Sequence, residues 1–170
     1  ANFYFEEQPE AILERIQTIV LRQQNEFNTI WQGIVAQMAS QQVFLKDDVS
    51  LTARQKTFVR NYFDQEVASS VIPLLIEDLP ALPYLRDKSL YLGVVMHKKQ
   101  DPMDHKLALI EIPSDIHGRF LRLPSRASET HIILLEDVIR FNLPYIFSFF
   151  DYDQFEAYIF NVTKDAEFDI

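Results

Sequence analysis

The sequence predicts an α+β fold, because the spacing of its apolar residues changes once along the chain. In the first half, apolar residues recur about every 3.6 positions, as they do on one face of a helix. From about residue 90 onward they form short runs or alternate with polar residues, as they do in strands. We therefore expect two helices, the first of them long, followed by a mostly antiparallel or mixed sheet with one short helix.

The first half contains the two predicted helices. The longer one covers residues 9–40 and begins at Pro9, which suits a first helical turn because its missing N–H costs nothing there. At ~1.5 Å per residue this helix is roughly 48 Å long, so part of it should pack on something outside this segment. Thr52 and Gln55 have the spacing of a capping box and start the second helix, which ends before Pro73.

The second half is predicted to contain strands around one short helix. A buried strand over residues 90–96 should be followed by a loop over 98–105 and by its hairpin partner over 106–112. The remaining elements, in chain order, are strands over 120–123 and 130–134, a helix over 135–143 that Pro144 interrupts, and a strand over 156–163. Residues 1–170 are expected to form a single domain.

The composition excludes several classes of site. The chain has 170 residues, a formal net charge of −9, no cysteine and only three glycines, Gly33, Gly93 and Gly118. It therefore lacks glycine-rich phosphate loops, nucleophile elbows, disulfides and thiolate zinc sites. An acidic chain without clustered lysine and arginine is a poor partner for nucleic acid. No apolar run reaches the ~18 residues that a membrane span needs, and we expect a cytoplasmic location.

Few residues are candidates for chemistry, and a structural role explains each of them. The four histidines lack the spacing of metal ligands: His97, His105, His117 and His131. Asp151 and Asp153 can offer carboxylates to a divalent cation, but aspartates are also typical of turns. Glu136 and Asp137 can form an acid–base pair, but a helix start also favours acidic residues. We assign no catalytic, cofactor-binding or metal-binding residue.

Two groups of residues are candidates for binding. Three arginines lie close together in the sequence and can face an anionic ligand or a tunnel, or simply be solvated: Arg119, Arg122 and Arg126. The segment 141–155 is rich in aromatic residues, which suits either the core or an interface. The candidate interface residues in it are Tyr145, Phe147, Phe149, Phe150 and Tyr152.

Several segments, in order along the chain, resemble the bacterial polyphosphate kinase family. The resemblance is clearest at residues 134–139, with Asn142, Leu143 and Phe147 after them, and at residues 156–169. Further similar segments are residues 52–55, 62–63, 72–74, 82–85, 89–90 and 119–124. The ordered series, which covers most of the chain, carries the resemblance more than any single motif does.

The resemblance implies the middle, or head, domain of such an enzyme. The family transfers the γ-phosphate of ATP reversibly to polyphosphate through a phosphohistidine, with Mg²⁺, and its catalytic residues belong to other domains. This segment is therefore expected to be inactive alone and to provide dimer contacts and a wall of the active-site tunnel. The implied partners are the other domains of the parent chain, a second copy, ATP and polyphosphate. ATP and Mg²⁺ would be cofactors of the parent enzyme, a phosphoprotein, and the parent can also associate with a membrane.

Two features depart from the family pattern, and two alternatives stay open. Pro144 interrupts the short helix, and residues 148–151 stand where the family usually has a glycine. The missing initial Met, and a family domain that continues past Ile170, suggest a fragment. The first alternative is a stand-alone interaction module with the same fold. The second is a small enzyme that uses Asp151, Asp153 and a histidine.

Overall fold

The computed structural model describes residues 8–76 and 84–163. The chain divides into two compact units, Ala1–Phe44 and Leu45–Ile170. The expectation of one domain over residues 1–170 stays a prediction. Residues 1–7, 77–83 and 164–170 lie outside the described residues.

The first unit contains helix α1, Pro9–Ser40, at the predicted bounds. None of its residues is buried within the structure. Leu13, Val20, Phe27 and Ile34 repeat every seven positions, and each is at least 42% exposed. This stripe of apolar residues is typical of a helix face that packs on another element. Within the described part of the chain, no helix combines the length and apolar character needed to cross a membrane.

The second unit begins with the predicted capping box. The Gln55 backbone N–H donates to Thr52 Oγ1 at 3.3 Å, and the Thr52 N–H donates to Gln55 Oε1 at 3.1 Å. Helix α2, Ala53–Tyr62, follows, and the chain then continues through a π-helical turn, Phe63–Val67, and a tighter 3₁₀ turn, Ala68–Ser70. The helical segment therefore ends before Pro73, as predicted.

The strands form two sheets rather than one. Their bounds are β1 Val43–Lys46, β2 Pro73–Leu75, β3 Leu90–Lys98, β4 Asp101–Glu111, β5 Phe120–Leu123, β6 Thr130–Leu134 and β7 Gln154–Asn161. One sheet has the order β1-β6-β5, and the other has the order β2-β4-β3-β7. Every pairing in the four-stranded sheet is antiparallel, which confirms the α+β fold class.

The predicted loop over residues 98–105 is wrong, because β4 already begins at Asp101. Lys98 pairs with Asp101 across a tight turn, after a register shift next to His97. Pro102 fits in the strand because it lies at its exposed start, where a missing N–H is tolerated. The short strand β2 was not predicted; it pairs with residues 108–110 of β4.

Three short helices complete the second unit: α3 Ser114–His117, α4 Leu135–Phe141 and α5 Leu143–Ile146. Pro144 lies in the first turn of α5, so it starts a new helix where the sequence indicated an interruption. One apolar core lies between α2, α4 and the inner faces of the sheets. Its largest fully buried members include Phe63, Leu92, Met96 and Phe147.

Candidate functional site

The three candidate arginines have different environments. Arg119 Nε donates to both carboxylate oxygens of Glu136, at 3.0 and 3.3 Å, and this bonding raises the pKa of Arg119. The Glu136 side chain is only 1% exposed, so Arg119 neutralises a buried charge. Arg122 and Arg126 are both exposed, and Arg122 shares the outer face of β5 with Phe120. Only these two remain candidates for an external anion.

Glu136 and Asp137 lie in the first turn of α4, where the sequence placed them, but both are buried. Arg140 Nη1 donates to Asp137 Oδ1 and lies 3.7 Å from Asp48 Oδ1. Burial raises the pKa of Asp137 to about 6, although the charge of Arg140 opposes this shift. Each carboxylate is therefore bonded within the fold, Glu136 to Arg119 and Asp137 to Arg140.

Two buried amides were not recognised as important from the sequence. Asn142 Oδ1 accepts a hydrogen bond from Arg60 Nη1 at 2.8 Å, and its Nδ2 donates to the Val138 carbonyl at 2.8 Å. Gln55 Nε2 donates to the Pro124 carbonyl at 3.0 Å and contacts His131 Nδ1 at 2.7 Å. In the sequence, Gln55 was marked only by its capping-box spacing and Asn142 only by the family resemblance, and neither signal showed these long-range contacts.

The four histidines contact different partners. His131 Nδ1 faces the Gln55 amide, so its Nε2 carries the proton and donates to Glu129 Oε2 at 3.0 Å. His117 Nε2 lies 3.0 Å from Ser70 Oγ, and His105 Nδ1 lies 3.0 Å from the Met103 carbonyl. His97 Nε2 lies 3.6 Å from Glu156 Oε1. Each contact has a plain structural explanation.

Asp151 and Asp153 organise the end of the β3–β4 hairpin. Lys98 Nζ lies 2.9 Å from Asp104 and 3.4 Å from Asp151. Asp153 Oδ1 accepts the Lys99 backbone N–H at 2.8 Å. Among residues 8–76 and 84–163, no group of three His, Cys, Asp or Glu side chains could hold a metal ion. Asp104 and Asp151 both lie against the Lys98 ammonium, and no chemical step is assigned to them.

The aromatic segment divides between the core and the surface. Phe147 is 1% exposed and stacks on Phe155 with a ring-centroid distance of 6.2 Å, so it is a core residue. Phe150 packs beside it and Tyr152 donates its hydroxyl to Asp104 at 3.0 Å; both are half-buried. Tyr145 is 46% exposed and Phe149 is 97% exposed. Of the five candidate interface residues, these two offer the most surface.

Tyr145 and Phe149 line an open apolar groove, which we call the Phe149 groove. It has a volume of about 290 Å³ and is lined by Phe63, Ala68, Val71, Pro73, Tyr145, Ile146, Ser148 and Phe149. The Arg60 guanidinium lies 3.7 Å from the centre of the Tyr145 ring, which holds that ring in place. A groove of this kind can bind an apolar side chain of another protein segment, since exposed contiguous apolar surface is typical of interaction sites.

Comparisons with known proteins agree on one family. The sequence model described as "Polyphosphate kinase middle domain" matches residues 54–170. The chain is 36% identical over 163 residues to the polyphosphate kinase of Yersinia pestis and 36% identical over 163 residues to that of Escherichia coli strain K12. Each match covers 94% of this chain but 23% of the relative, so the chain spans less than a quarter of these proteins' length.

A solved structure has the same fold. The crystal structure of polyphosphate kinase from Porphyromonas gingivalis matches with a TM-score of 0.79 at 23% sequence identity. The match covers 95% of this chain and 25% of the crystallised one. With the family model covering most of the sequence, the chain belongs to the polyphosphate kinase family and contains its middle domain.

Proposed function

We propose that this chain is the non-catalytic middle domain of an enzyme that transfers the γ-phosphate of ATP reversibly to polyphosphate. In that enzyme it provides contacts to the other domains and to a second copy, and forms part of the wall of the tunnel that holds the substrates. ATP and Mg²⁺ act in other domains, and no residue described here takes part in the transfer itself. The proposed location is cytoplasmic.

The Phe149 groove is the observation that carries this proposal. In it the Phe149 ring is almost fully exposed to solvent beside Tyr145, which is typical of protein–protein contact surfaces. Three of the groups with acid–base potential are meanwhile bonded internally. Glu136 is bound to Arg119, Asp137 to Arg140, and His131 to Gln55 and Glu129. Of the three candidate arginines, Arg119 is paired with Glu136, and Arg122 and Arg126 are the two that remain for the tunnel wall.

Phosphate transfer by the purified chain tests the non-catalytic role. The chain is incubated with Mg²⁺ and γ-labelled ATP, with and without polyphosphate, and then assayed for label in polyphosphate and in acid-labile phosphohistidine. We expect both signals to stay at background. A matched variant, His105→Gln, replaces an exposed histidine whose ring contacts the Met103 carbonyl, without touching the core.

Label that accumulates on the wild-type chain, and is lost in any single histidine-to-glutamine variant, would contradict the proposal, because the chain would then carry its own phosphoacceptor. Label of equal size in the wild type and in all four variants would point to a contaminating kinase. Repeating the preparation by a second purification method then removes that signal.

A further inference from the structure

The β3–β4 hairpin brings two histidines side by side. His97 of β3 and His105 of β4 are direct partners in the antiparallel pairing of the two strands. The register of the hairpin shifts only after His97, next to Lys98, so the pairing of the two histidines is regular. Directly opposite residues of an antiparallel pair have their side chains on the same face of the sheet. The two imidazole rings are therefore neighbours on one face.

The two histidines form the closer of the two kinds of antiparallel pair. The Ile112 N–H donates to the Leu90 carbonyl at 2.9 Å, which makes these two residues a hydrogen-bonded pair. Hydrogen-bonded and non-hydrogen-bonded pairs alternate along a ladder, so the pair of His97 and His105 is non-hydrogen-bonded. The Leu107 carbonyl agrees with this alternation, because it accepts a hydrogen bond from the chain just after β2 rather than from β3. In such a pair the Cα atoms are only about 4.5 Å apart.

The pair lies on the outer face of the four-stranded sheet. Met96, the residue before His97, is fully buried in the core, so the alternation of a strand places His97 on the opposite face. His105 is exposed, and the side chain of His97 is 21% exposed. Glu156 of β7 shares this outer face, because it pairs with Val95, two residues before His97. A small ion in solution can therefore reach both rings.

The contacts of the two rings leave one free lone pair on each. His105 Nδ1 lies 3.0 Å from the Met103 carbonyl, which can only accept, so Nδ1 carries the proton and Nε2 has the lone pair. His97 Nε2 lies 3.6 Å from Glu156 Oε1, and this carboxylate favours the proton on Nε2. The lone pair of His97 is then on Nδ1. Histidines that bind metals typically have their other ring nitrogen directed at a carboxylate or a carbonyl in this way.

The same nitrogen of His97 stands out by a second observation. Over residues 8–76 and 84–163, His97 Nδ1 is the one buried side-chain nitrogen or oxygen that has no hydrogen-bond partner. Buried polar atoms in folded proteins almost always have a partner, because an unpaired one has lost its contact with water without compensation. An ion bound at this nitrogen would supply the missing partner.

We propose that His97 Nδ1 and His105 Nε2 together bind a divalent transition-metal ion of the kind that prefers imidazole, Cu²⁺ more tightly than Zn²⁺. Tetrahedral Zn²⁺ has Zn–N distances of about 2.0–2.1 Å, so its two ligand nitrogens are roughly 3.3 Å apart. Ring rotation can give this separation when the two Cα atoms are so close. The described residues offer no third His, Asp or Glu ligand, so water completes the coordination.

This site differs from the Mg²⁺ chemistry of phosphate transfer. Mg²⁺ prefers oxygen ligands and is not expected to bind two imidazoles. The bound ion would instead connect β3 to β4 at the end of the hairpin. The proposal does not depend on the function proposed above, and the phosphate-transfer assay does not decide it.

Calorimetric titration of the purified chain with Zn²⁺ tests the site. Excess Mg²⁺ is present throughout to occupy surface carboxylates. We expect one Zn²⁺ per chain with a micromolar Kd, and His105→Gln should raise this Kd at least about tenfold, because the second ligand binds intramolecularly. His117→Gln, whose ring contacts Ser70, is the matched control and should leave the Kd unchanged. Absence of Zn²⁺ binding, or an equal Kd in all three proteins, would overturn the proposal.

NMR of the imidazole nitrogens identifies the ligand atoms. Before metal is added, the proton should be on Nε2 of His97 and on Nδ1 of His105. Zn²⁺ should then shift the signals of His97 Nδ1 and His105 Nε2 and leave the rings of His117 and His131 unchanged. Shifts that are confined to His117 or His131 would overturn the assignment.

Glu156→Gln tests the positioning role of the carboxylate. This variant should raise the Zn²⁺ Kd by a smaller factor than His105→Gln does, and should move part of the His97 proton from Nε2 to Nδ1 in the NMR spectrum. A larger loss of affinity than in His105→Gln would make Glu156 a ligand and overturn the two-histidine site. Circular dichroism verifies that the variants are folded; if Glu156→Gln is not, the exposed His105→Gln decides alone.

Discussion

Arg119 and Glu136 form a two-point ion pair that joins the start of β5 to the first turn of α4, with Arg119 Nε donating to both carboxylate oxygens. The carboxylate is almost completely shielded from water while its arginine is 43% exposed. The attraction within such a pair adds little to the stability of the fold. Removal of one partner is strongly destabilising, because the other charge is then buried without a counter-charge.

Removal of this arginine should therefore strongly destabilise the fold. We expect Arg119→Ala to lower the free energy of unfolding by roughly 3–5 kcal/mol, because Glu136 stays buried without a counter-charge. Urea denaturation measures the change. Arg122→Ala, on the exposed face of β5, is the control and should change stability by less than about 0.5 kcal/mol. A double variant, Arg119→Ala with Glu136→Leu, should recover most of the loss; a further loss in the double variant would contradict this account.

Asp137 should make the stability of the chain depend on pH. Burial raises its pKa to about 6, from the ordinary aspartate value of 3.8. The folded state therefore holds this proton more tightly, and the stabilisation is complete below pH 3.8 and is lost as the pH rises through about 6. Asp137→Asn cannot lose that proton. Between pH 4 and pH 7 the variant should gain on the order of 1–2 kcal/mol relative to the wild type.

Urea denaturation of both proteins at several pH values measures this difference. Asp104→Asn is the useful control, because the hydrogen bond from Lys98 lowers the pKa of Asp104. Its stabilisation is lost only as the pH falls below the ordinary value of 3.8, so this variant should change little relative to the wild type between pH 4 and pH 7. A constant difference between Asp137→Asn and the wild type from pH 4 to pH 7 would show that Arg140 keeps Asp137 charged throughout.

Gln55 should contribute more to stability than an ordinary capping residue. Its side chain closes the capping box, bonds the Pro124 carbonyl and contacts His131, and it is only 2% exposed. We expect Thr52→Ala to cost about 1 kcal/mol and Gln55→Ala about 2–3 kcal/mol, because the latter leaves several buried groups unpaired. Thermal melts compare the two; equal losses would mean that only the cap matters.

Truncation to alanine should destabilise the fold at one of two neighbouring phenylalanines and not at the other. Phe147→Ala removes a fully buried ring and should cost about 3–5 kcal/mol. Phe149→Ala removes a ring that is 97% exposed and should change stability by less than about 0.5 kcal/mol. Denaturation of the two variants side by side gives the comparison. A large loss for Phe149→Ala would show that its ring packs against the chain in solution.

Arg122 and Arg126 should give the chain a weak affinity for polyphosphate if they face the tunnel. We expect short-chain polyphosphate to shift their amide signals in NMR titrations, and the double variant Arg122→Gln with Arg126→Gln to abolish the shifts. Lys99→Gln, an exposed cation at the far hairpin, is the control and should leave them unchanged. Shifts at Lys99 of the same size would indicate only nonspecific attraction, and added salt should then remove all of them.

Local signals in the sequence were enough to predict the elements whose causes lie within one turn or one strand. Helix α1 begins at Pro9, and the capping box of Thr52 and Gln55 starts α2, because these signals act within one helical turn. Strands β5 and β6 lie at their predicted bounds, because each is a short run rich in apolar residues between turn residues, which is a local signal. The ordered resemblance also identified the family, which the comparisons confirm.

Which side chains contact one another depends on how the distant parts of the chain pack. Gln55 and His131 are 76 positions apart, and their contact depends on how α2 packs beside the β5–β6 sheet. The sequence placed Phe147 and Phe149 in one candidate interface, yet one ring is in the core and the other in the Phe149 groove. The sequence also grouped Arg119 with Arg122 and Arg126, since the three are close together along the chain. That spacing does not show that the buried Glu136 pairs with Arg119. The burial of a side chain and its bonding partners depend on the packing of the whole chain, so a local sequence pattern does not predict them.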